Sequence, residues 1–246
     1  MHEVLILTDY TPTCFWSVIY GLDFCNRYGY SPVILHAEIP GGIVNQLERD
    51  KVSSTVDLYN RRFNLGATVE VRTGSLGDVV GRETSSGHYK VIILCTHGKL
   101  GLQSVTGSVA IKIISSLHIP ILVMQGKRFQ PLTHAVVPLL CDDFNTQVLM
   151  KYVELAGRMG VSVDVVGREE NMEMCLRLAN QFKNSKITSI PRSTAGLSFV
   201  RQVVAYCEKE NADLIMGLPP AISSQQYLDN LEQLLFNIHQ IPVLCP

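Results

Sequence analysis

The segment with the clearest capacity for chemistry runs from Cys95 to Ser108 and reads Cys-Thr-His-Gly-Lys-Leu-Gly-Leu-Gln-Ser-Val-Thr-Gly-Ser. It follows an apolar run, Val91-Ile92-Ile93-Leu94, and it leads into a helix expected from about Ser108. A glycine-rich loop that delivers its chain to a helix N-terminus presents unobstructed backbone N–H donors and the positive end of the helix dipole, a combination suited to phosphate. Within it, His97 stands either to touch a phosphate or to hydrogen-bond the backbone, and Lys99 either pairs with phosphate oxygens or is a solvated surface charge. A second candidate lies at Thr8-Asp9, where the run Val4-Leu5-Ile6-Leu7 ends. A carboxylate there can accept hydrogen bonds from a base or a ribose.

Other chemistries lack their residues. There is no Ser-His-Asp order, no G-x-S-x-G elbow, no lysine-bearing Walker A loop and no Cys/His spacing of a metal site. The seven cysteines, at 14, 25, 95, 141, 175, 207 and 245, stand singly and read as reduced thiols packed as small apolar groups. His36, closing the run Val33-Ile34-Leu35, reads as a structural histidine near the sheet edge. The adjacent pair Asp142-Asp143 reads as a helix N-cap, because neighbouring side chains at a strand end point apart. Binding, not catalysis, is the expected activity.

Stepping from these residues to the elements that carry them, the chain of 246 residues repeats itself. The strand-like Val4–Leu7 is followed by a helix that Gly29 closes, and Ala135-Val136-Val137-Pro138-Leu139-Leu140 by a helix that Gly160 closes; both glycines sit where an αL cap is expected. Tyr89–Leu94 matches Asn211–Met216 and Ile119–Leu122 matches Ile241–Leu244, in each case 122 positions on (211 minus 89, 241 minus 119). The early glycines are 131 apart (160 minus 29), so the second copy is shorter in its middle, around a helix expected from Gly42 to Phe63 in the first. Gly81 and Gly87 are expected to flank a short third helix that Thr73-Gly74-Ser75 caps. Short apolar strands alternating with helices predict parallel strands buried on both faces. The fold class is therefore α/β: two tandem doubly wound (Rossmann-like) domains, each a five-stranded parallel sheet with helices on both faces. Their expected bounds are 1–126 and 132–246, joined by an exposed linker.

Hydrophobic residues make up 46% of the chain and the formal charge is −1, with lysine and arginine scattered, so no basic stripe faces a nucleic-acid backbone or an anionic membrane. The apolar runs are far shorter than the roughly 20 residues that span a bilayer, and Met1-His2-Glu3-Val4 lacks the basic start of a signal peptide. No nucleic-acid or membrane partner is expected, and the expected compartment is the cytoplasm.

Thr96-His97-Gly98-Lys99-Leu100-Gly101 and Gly107-Ser108-Val109-Ala110, with Thr8-Asp9 early and His118-Ile119-Pro120-Ile121-Leu122-Val123 late, resemble a universal stress protein domain. The resemblance covers the first half and extends more weakly over the second, through Ala212–Gly217 and Ile241–Leu244. It implies a stress-response protein that binds or senses an adenine nucleotide, ATP or AMP, through the first domain, with the second domain structural. It implies that Thr8 and Asp9 face the adenine or ribose, that Ala37 lines the base pocket, and that Gly98, Gly107, Ser108 and Val109, flanked by His97 and Lys99, cradle phosphates. It also implies pairing through the last strand, here an intrachain pseudo-dimer of the two domains, with a homodimer as a further option. The family loop is G-x2-G-x9-G-(S/T); here Cys95 takes the first glycine position and eight residues separate Gly98 from Gly107.

In the second half the loop positions become Pro220, Ser223, Asp229 and Asn230, and Asp229 is expected to cap its helix and close it to anions. Asp9 aligns with Leu140, and Asp142 lies near. A second reading of the whole chain is a ligand-free interaction or dimerisation scaffold with both sites degenerate. A third, an adenine-nucleotide α-hydrolase enzyme, would need a phosphate loop directly after the first strand, and Thr8-Asp9-Tyr10-Thr11-Pro12-Thr13 is not one.

Overall fold

A computed structural model describes residues 2–41, 45–96, 113–114, 116–117, 119–126, 128–192, 196–222 and 224–246. The chain divides into two compact units, Met1–Pro131 and Leu132–Pro246. In the first, strands β1 (Glu3–Leu7), β2 (Ser31–Glu38), β3 (Thr68–Thr73), β4 (Tyr89–Cys95) and β5 (Ile121–Met124) alternate with helices α1 (Pro12–Tyr28), α2 (Gln46–Phe63) and α3 (Leu76–Thr84). The strands are parallel, in the order β3-β2-β1-β4-β5. Val4, Leu5, Ile6, Ile92 and Ile93 are wholly buried. Near-continuous apolar runs of this kind need cover on both faces of a sheet, and each such side chain contributes about 1.5–3 kcal/mol on burial.

Local signals fix the helix ends. The Thr11 hydroxyl accepts from the Cys14 N–H, Pro12 opens α1, and Gly29 closes it in the left-handed region at φ 70°. Gly21 lets α1 approach β1 closely, because a Cβ there would stand 2.5 Å from Ile6 Cδ1. Helix α2 starts at Gln46, later than the expected Gly42, because Asn45 provides the side-chain cap. Gly81 lies inside α3, not beside it, since the Ser75 cap and the burial of Val79 and Val80 carry the helix through it.

The second unit comprises β6 (His134–Pro138), α4 (Thr146–Met159), β7 (Ser162–Gly167), a 3-10 turn at Glu169–Asn171, α5 (Met172–Ala179), β8 (Ser185–Ser189), α6 (Phe199–Lys209), β9 (Leu214–Met216), α7 (Gln225–Leu235) and β10 (Val243–Cys245). Its strand order, β8-β7-β6-β9-β10, is that of the first unit, and the strands are again parallel. The shortening falls at the second helix, 18 residues in α2 against 8 in α5.

Three expectations are corrected. Helix α4 is capped by Asn145, whose side chain accepts from the Val148 N–H, and not by Asp142-Asp143. Helix α7 is capped by Ser224, which accepts from Tyr227 N–H, while Asp229 sits one turn inside and accepts from Gln225. The segment expected as an exposed linker is partly packed: the Phe129 ring meets Tyr20, Phe24 and Tyr28 edge-on, and Leu132 is buried. Apolar side chains at 129 and 132 outweigh the polar residues around them.

A polar cluster in the second unit was not expected. Asp164, only 4% exposed in the middle of apolar β7, accepts through Oδ2 from His134 Nε2 (2.9 Å), Lys186 Nζ (3.0 Å) and the Tyr206 hydroxyl (2.8 Å). The hydrogen bond to Asp164 leads the effects that hold the Lys186 ammonium above its ordinary 10.5. Its stabilisation is therefore complete at neutral pH and declines only as pH rises beyond that value.

Asp164→Ala, which strips a buried carboxylate from three donors, should cost about 3 kcal/mol in urea unfolding, whereas Lys186→Met, at a half-exposed site, should cost under about 1 kcal/mol. Equal, small losses would show that the cluster contributes little. Gly21→Val should destabilise the first unit by about 1–3 kcal/mol through overpacking against Ile6, read as a lowered thermal midpoint.

Candidate functional site

In the first unit β1 lies between β2 and β4. The chain leaves β1 toward β2 and leaves β4 toward β5, so the connections diverge at the carboxyl ends of β1 and β4, the place where open parallel sheets take ligands in a crevice. Four of the parallel strands therefore deliver residues to one edge: Thr8, Asp9 and Tyr10 after β1, His36 and Ala37 near the end of β2, Cys95 and Thr96 at the end of β4, and Gly126 after β5.

Thr8 is a strut. Its N–H donates to Leu35 O (3.0 Å), its carbonyl accepts from His36 Nδ1 (2.9 Å) and its hydroxyl accepts from Tyr10 N–H (3.1 Å). A carbonyl only accepts, so His36 carries its proton on Nδ1; it is the structural histidine the sequence suggested. Asp9 is exposed, and its Oδ1 accepts from the Thr11 N–H (2.9 Å) and hydroxyl (2.7 Å). This turn holds the carboxylate at the rim while the N-terminus of α1 passes beneath it.

Tyr10 has φ 59°, an uncommon conformation for a bulky residue. The turn places its ring 4.4 Å from the His36 ring, 3% exposed, with a buried hydroxyl that has no hydrogen-bond partner among the described residues. Burial leads the effects that raise its pKa. At β4, the Thr96 N–H donates to Met124 O (2.9 Å), but its side-chain hydroxyl, in a residue 3% exposed, is likewise buried without a partner among the described residues. A buried hydroxyl left unpaired costs about 1–3 kcal/mol, so two of them at one edge are a feature that requires a reason.

Of the residues singled out from the sequence, Thr8, Asp9 and Ala37 come together at this edge. His97, Gly98, Lys99, Gly107, Ser108 and Val109 lie outside the described residues. Tyr10 and Thr96 were missed: each is an ordinary polar residue in sequence, and only burial without a partner marks it. No group of His, Cys, Asp or Glu among the described residues is arranged to hold a metal ion.

The equivalent edge of the second unit is filled. Gly217, at the end of β9, donates its N–H to Leu244 O (2.7 Å), and its carbonyl accepts from the hydroxyls of Tyr227 (3.1 Å) and Tyr152 (3.4 Å). A Cβ on Gly217 would stand 3.2 Å from Leu231 Cδ1, so α7 packs directly over it. Pro219 and Pro220 follow with no N–H to offer, and the Pro219 carbonyl accepts from Asn145 N–H. The residues present do not fit a phosphate cradle.

No family model and no curated relative matches the chain. Solved structures do. A universal stress protein from Archaeoglobus fulgidus aligns over 98% of this chain and 97% of its own, with TM-score 0.66 and 16% identity. The chain has the universal stress protein fold. A putative universal stress protein from Pseudomonas aeruginosa matches at TM-score 0.54 and 12% identity over 99% and 92% of the two chains. The cytoplasmic domain of a prokaryotic cation chloride cotransporter matches at TM-score 0.54 and 13% identity over 99% and 94%. Within the universal stress protein fold, then, the first unit sets Asp9 and Thr96 at its strand-order reversal, and the second sets Tyr227 and Leu231 over Gly217. Among the described residues no helix is long and apolar enough to cross a membrane.

Proposed function

We propose that this chain is a tandem member of the universal stress protein family whose first unit binds an adenine nucleotide, ATP or AMP, as a signal in the stress response, and whose second unit is structural. The observation that carries this reading is Thr96: a buried hydroxyl without a partner among the described residues, at the strand-order reversal next to the end of β1. An orphaned donor in such a crevice is retained at a cost where a ligand completes it. In this reading Asp9 and Ala37 serve the adenine and ribose, Thr96 the ribose or phosphate, and Gly98, Gly107, Ser108 and Val109 the phosphates, with His97 and Lys99 beside them. Thr8 stands beside Asp9 in the same site and holds the turn that positions it.

The ligand serves by occupancy, and the role is binding, not turnover. Two prolines and two tyrosine hydroxyls on Gly217 support a structural role for the second unit. A second reading, a ligand-free scaffold, is favoured by one observation: Cys95 carries a side chain at the position where the family loop has its first glycine, and that side chain lies in the crevice against α1.

Isothermal titration separates the two. The nucleotide reading predicts one ATP or AMP per chain, and a loss of about tenfold in affinity for Thr96→Val, the worth of one hydrogen bond. The same variant should leave ligand-free stability unchanged or raised, because the hydroxyl it removes is unpaired. No heat with ATP, ADP or AMP would favour the scaffold, and a Thr96→Val protein that binds normally would remove Thr96 from the site.

A further inference from the structure

Strand β3 ends the sheet of the first unit and pairs with β2 alone. Gly74, just past it, donates its N–H to Glu38 O at the end of β2 (3.0 Å). Backbone groups alternate sides along a strand, so those of Glu70 and Arg72 face β2 and those of Val69, Val71 and Thr73 face away from it. Two of the outward carbonyls meet arginine side chains: Thr73 O lies 3.2 Å from Arg82 Nη2, and Val71 O lies 3.4 Å from Arg72 Nη1. Among the described residues, the three outward N–H groups have no acceptor.

Native sheets protect such an edge with lysine, proline or a bulge. Strand β3 has none of these. It reads Thr-Val-Glu-Val-Arg-Thr, with four β-branched residues, one acid and one base, and its register with β2 is unbroken over six residue pairs. Segments of about six residues with high β-propensity, no net charge and no proline are the ones that pair with a further strand. We propose that two copies of this chain join through β3, antiparallel about a twofold axis at Val71. This interface is independent of any nucleotide.

The outward groups fit that register. Val71 exchanges both backbone hydrogen bonds with Val71 of the second copy, and Val69 does so with Thr73 of the second copy on either side of the axis, about six bonds in all. Glu70 then stands opposite the second copy's Arg72, twice, at the positions between hydrogen-bonded pairs where side chains approach most closely. Opposite charges there stabilise a strand pair, and an axis at Glu70 or at Arg72 would instead set like charges face to face. Arg72 can take a further carboxylate. It holds Glu83 through Nε (2.8 Å) and Glu70 through Nη2, which leaves Nη1 with the long contact to Val71 O. The outer strand of the second unit, β8, reads Ser-Lys-Ile-Thr-Ser and has no acid to answer its lysine.

Sedimentation velocity on the full chain over a concentration series should show a reversible dimer. Glu70→Arg and Arg72→Glu should each weaken it roughly tenfold or more, since two ion pairs change sign. An equimolar mixture of the two variants should recover dimerisation, because each charge then meets its opposite. Val71→Pro, tolerated where an edge-strand N–H faces outward, should abolish the dimer while the far-UV spectrum stays the same. Hydrogen exchange on the unaltered protein reads the same edge without any variant: the Val69, Val71 and Thr73 amides should slow as concentration rises. A chain that stays monomeric throughout the series, a dimer in which those three amides exchange freely, or folded charge variants whose mixture stays monomeric would each overturn the proposal.

Discussion

The burial of β1 on both faces is the constraint on which the site depends. Val4, Leu5 and Ile6 are wholly buried, and α1 comes close enough over Ile6 that only a glycine fits at 21. A strand held this way cannot shift register without exposing its side chains or burying polar ones. Its end is therefore fixed, and with it the turn Thr8-Asp9-Tyr10 that the Thr8 hydrogen bonds to Leu35 and His36 complete. The rim carboxylate of Asp9 and the buried hydroxyls of Tyr10 and Thr96 stand within a few residues of that strand end or of the parallel end of β4.

The two units show how one strand order supports opposite outcomes. In the first, the strand ends carry hydroxyls that lack partners among the described residues, Thr96 and Tyr10. In the second, the Gly217 carbonyl takes two tyrosine hydroxyls, its N–H goes to Leu244, and prolines replace donors in the next positions. Fold and strand order are the same, so the difference that the proposed function requires would lie in these side chains. The second unit puts its polar investment elsewhere, in the Asp164 cluster set in β7, whose partners come from β6, β8 and α6.

Much of the architecture was legible because it rests on local signals. Strands such as Val91–Leu94 are almost wholly apolar and bounded by polar residues, and Gly29 and Gly160 stop helices at equivalent places, so the repeat and the parallel sheets could be read directly. Helix caps were harder. Extending the spacing of the second copy put Asp229 at a helix start, but Ser224 begins the helix earlier because Tyr227, anchored on Gly217, fixes its first turn. Asp142-Asp143 read as a cap, but the helix starts a little further on, where the Asn145 side chain accepts from the Val148 N–H. The Asp164 cluster was not legible, since it joins residues distant in sequence and only the fold brings them together. At the site itself, Asp9 and Ala37 could be picked out, whereas the importance of Thr96 lies in what its hydroxyl fails to touch.

The central claim is asymmetry: one crevice built to receive an adenine nucleotide and one closed by its own side chains. Protein isolated from its own cells, denatured and filtered, releases whatever it carried, and chromatography of the filtrate gives the amount of nucleotide per chain. The account predicts adenine nucleotide at up to one equivalent per chain. Two equivalents, or none from protein that also shows no heat with ATP or AMP, would contradict it.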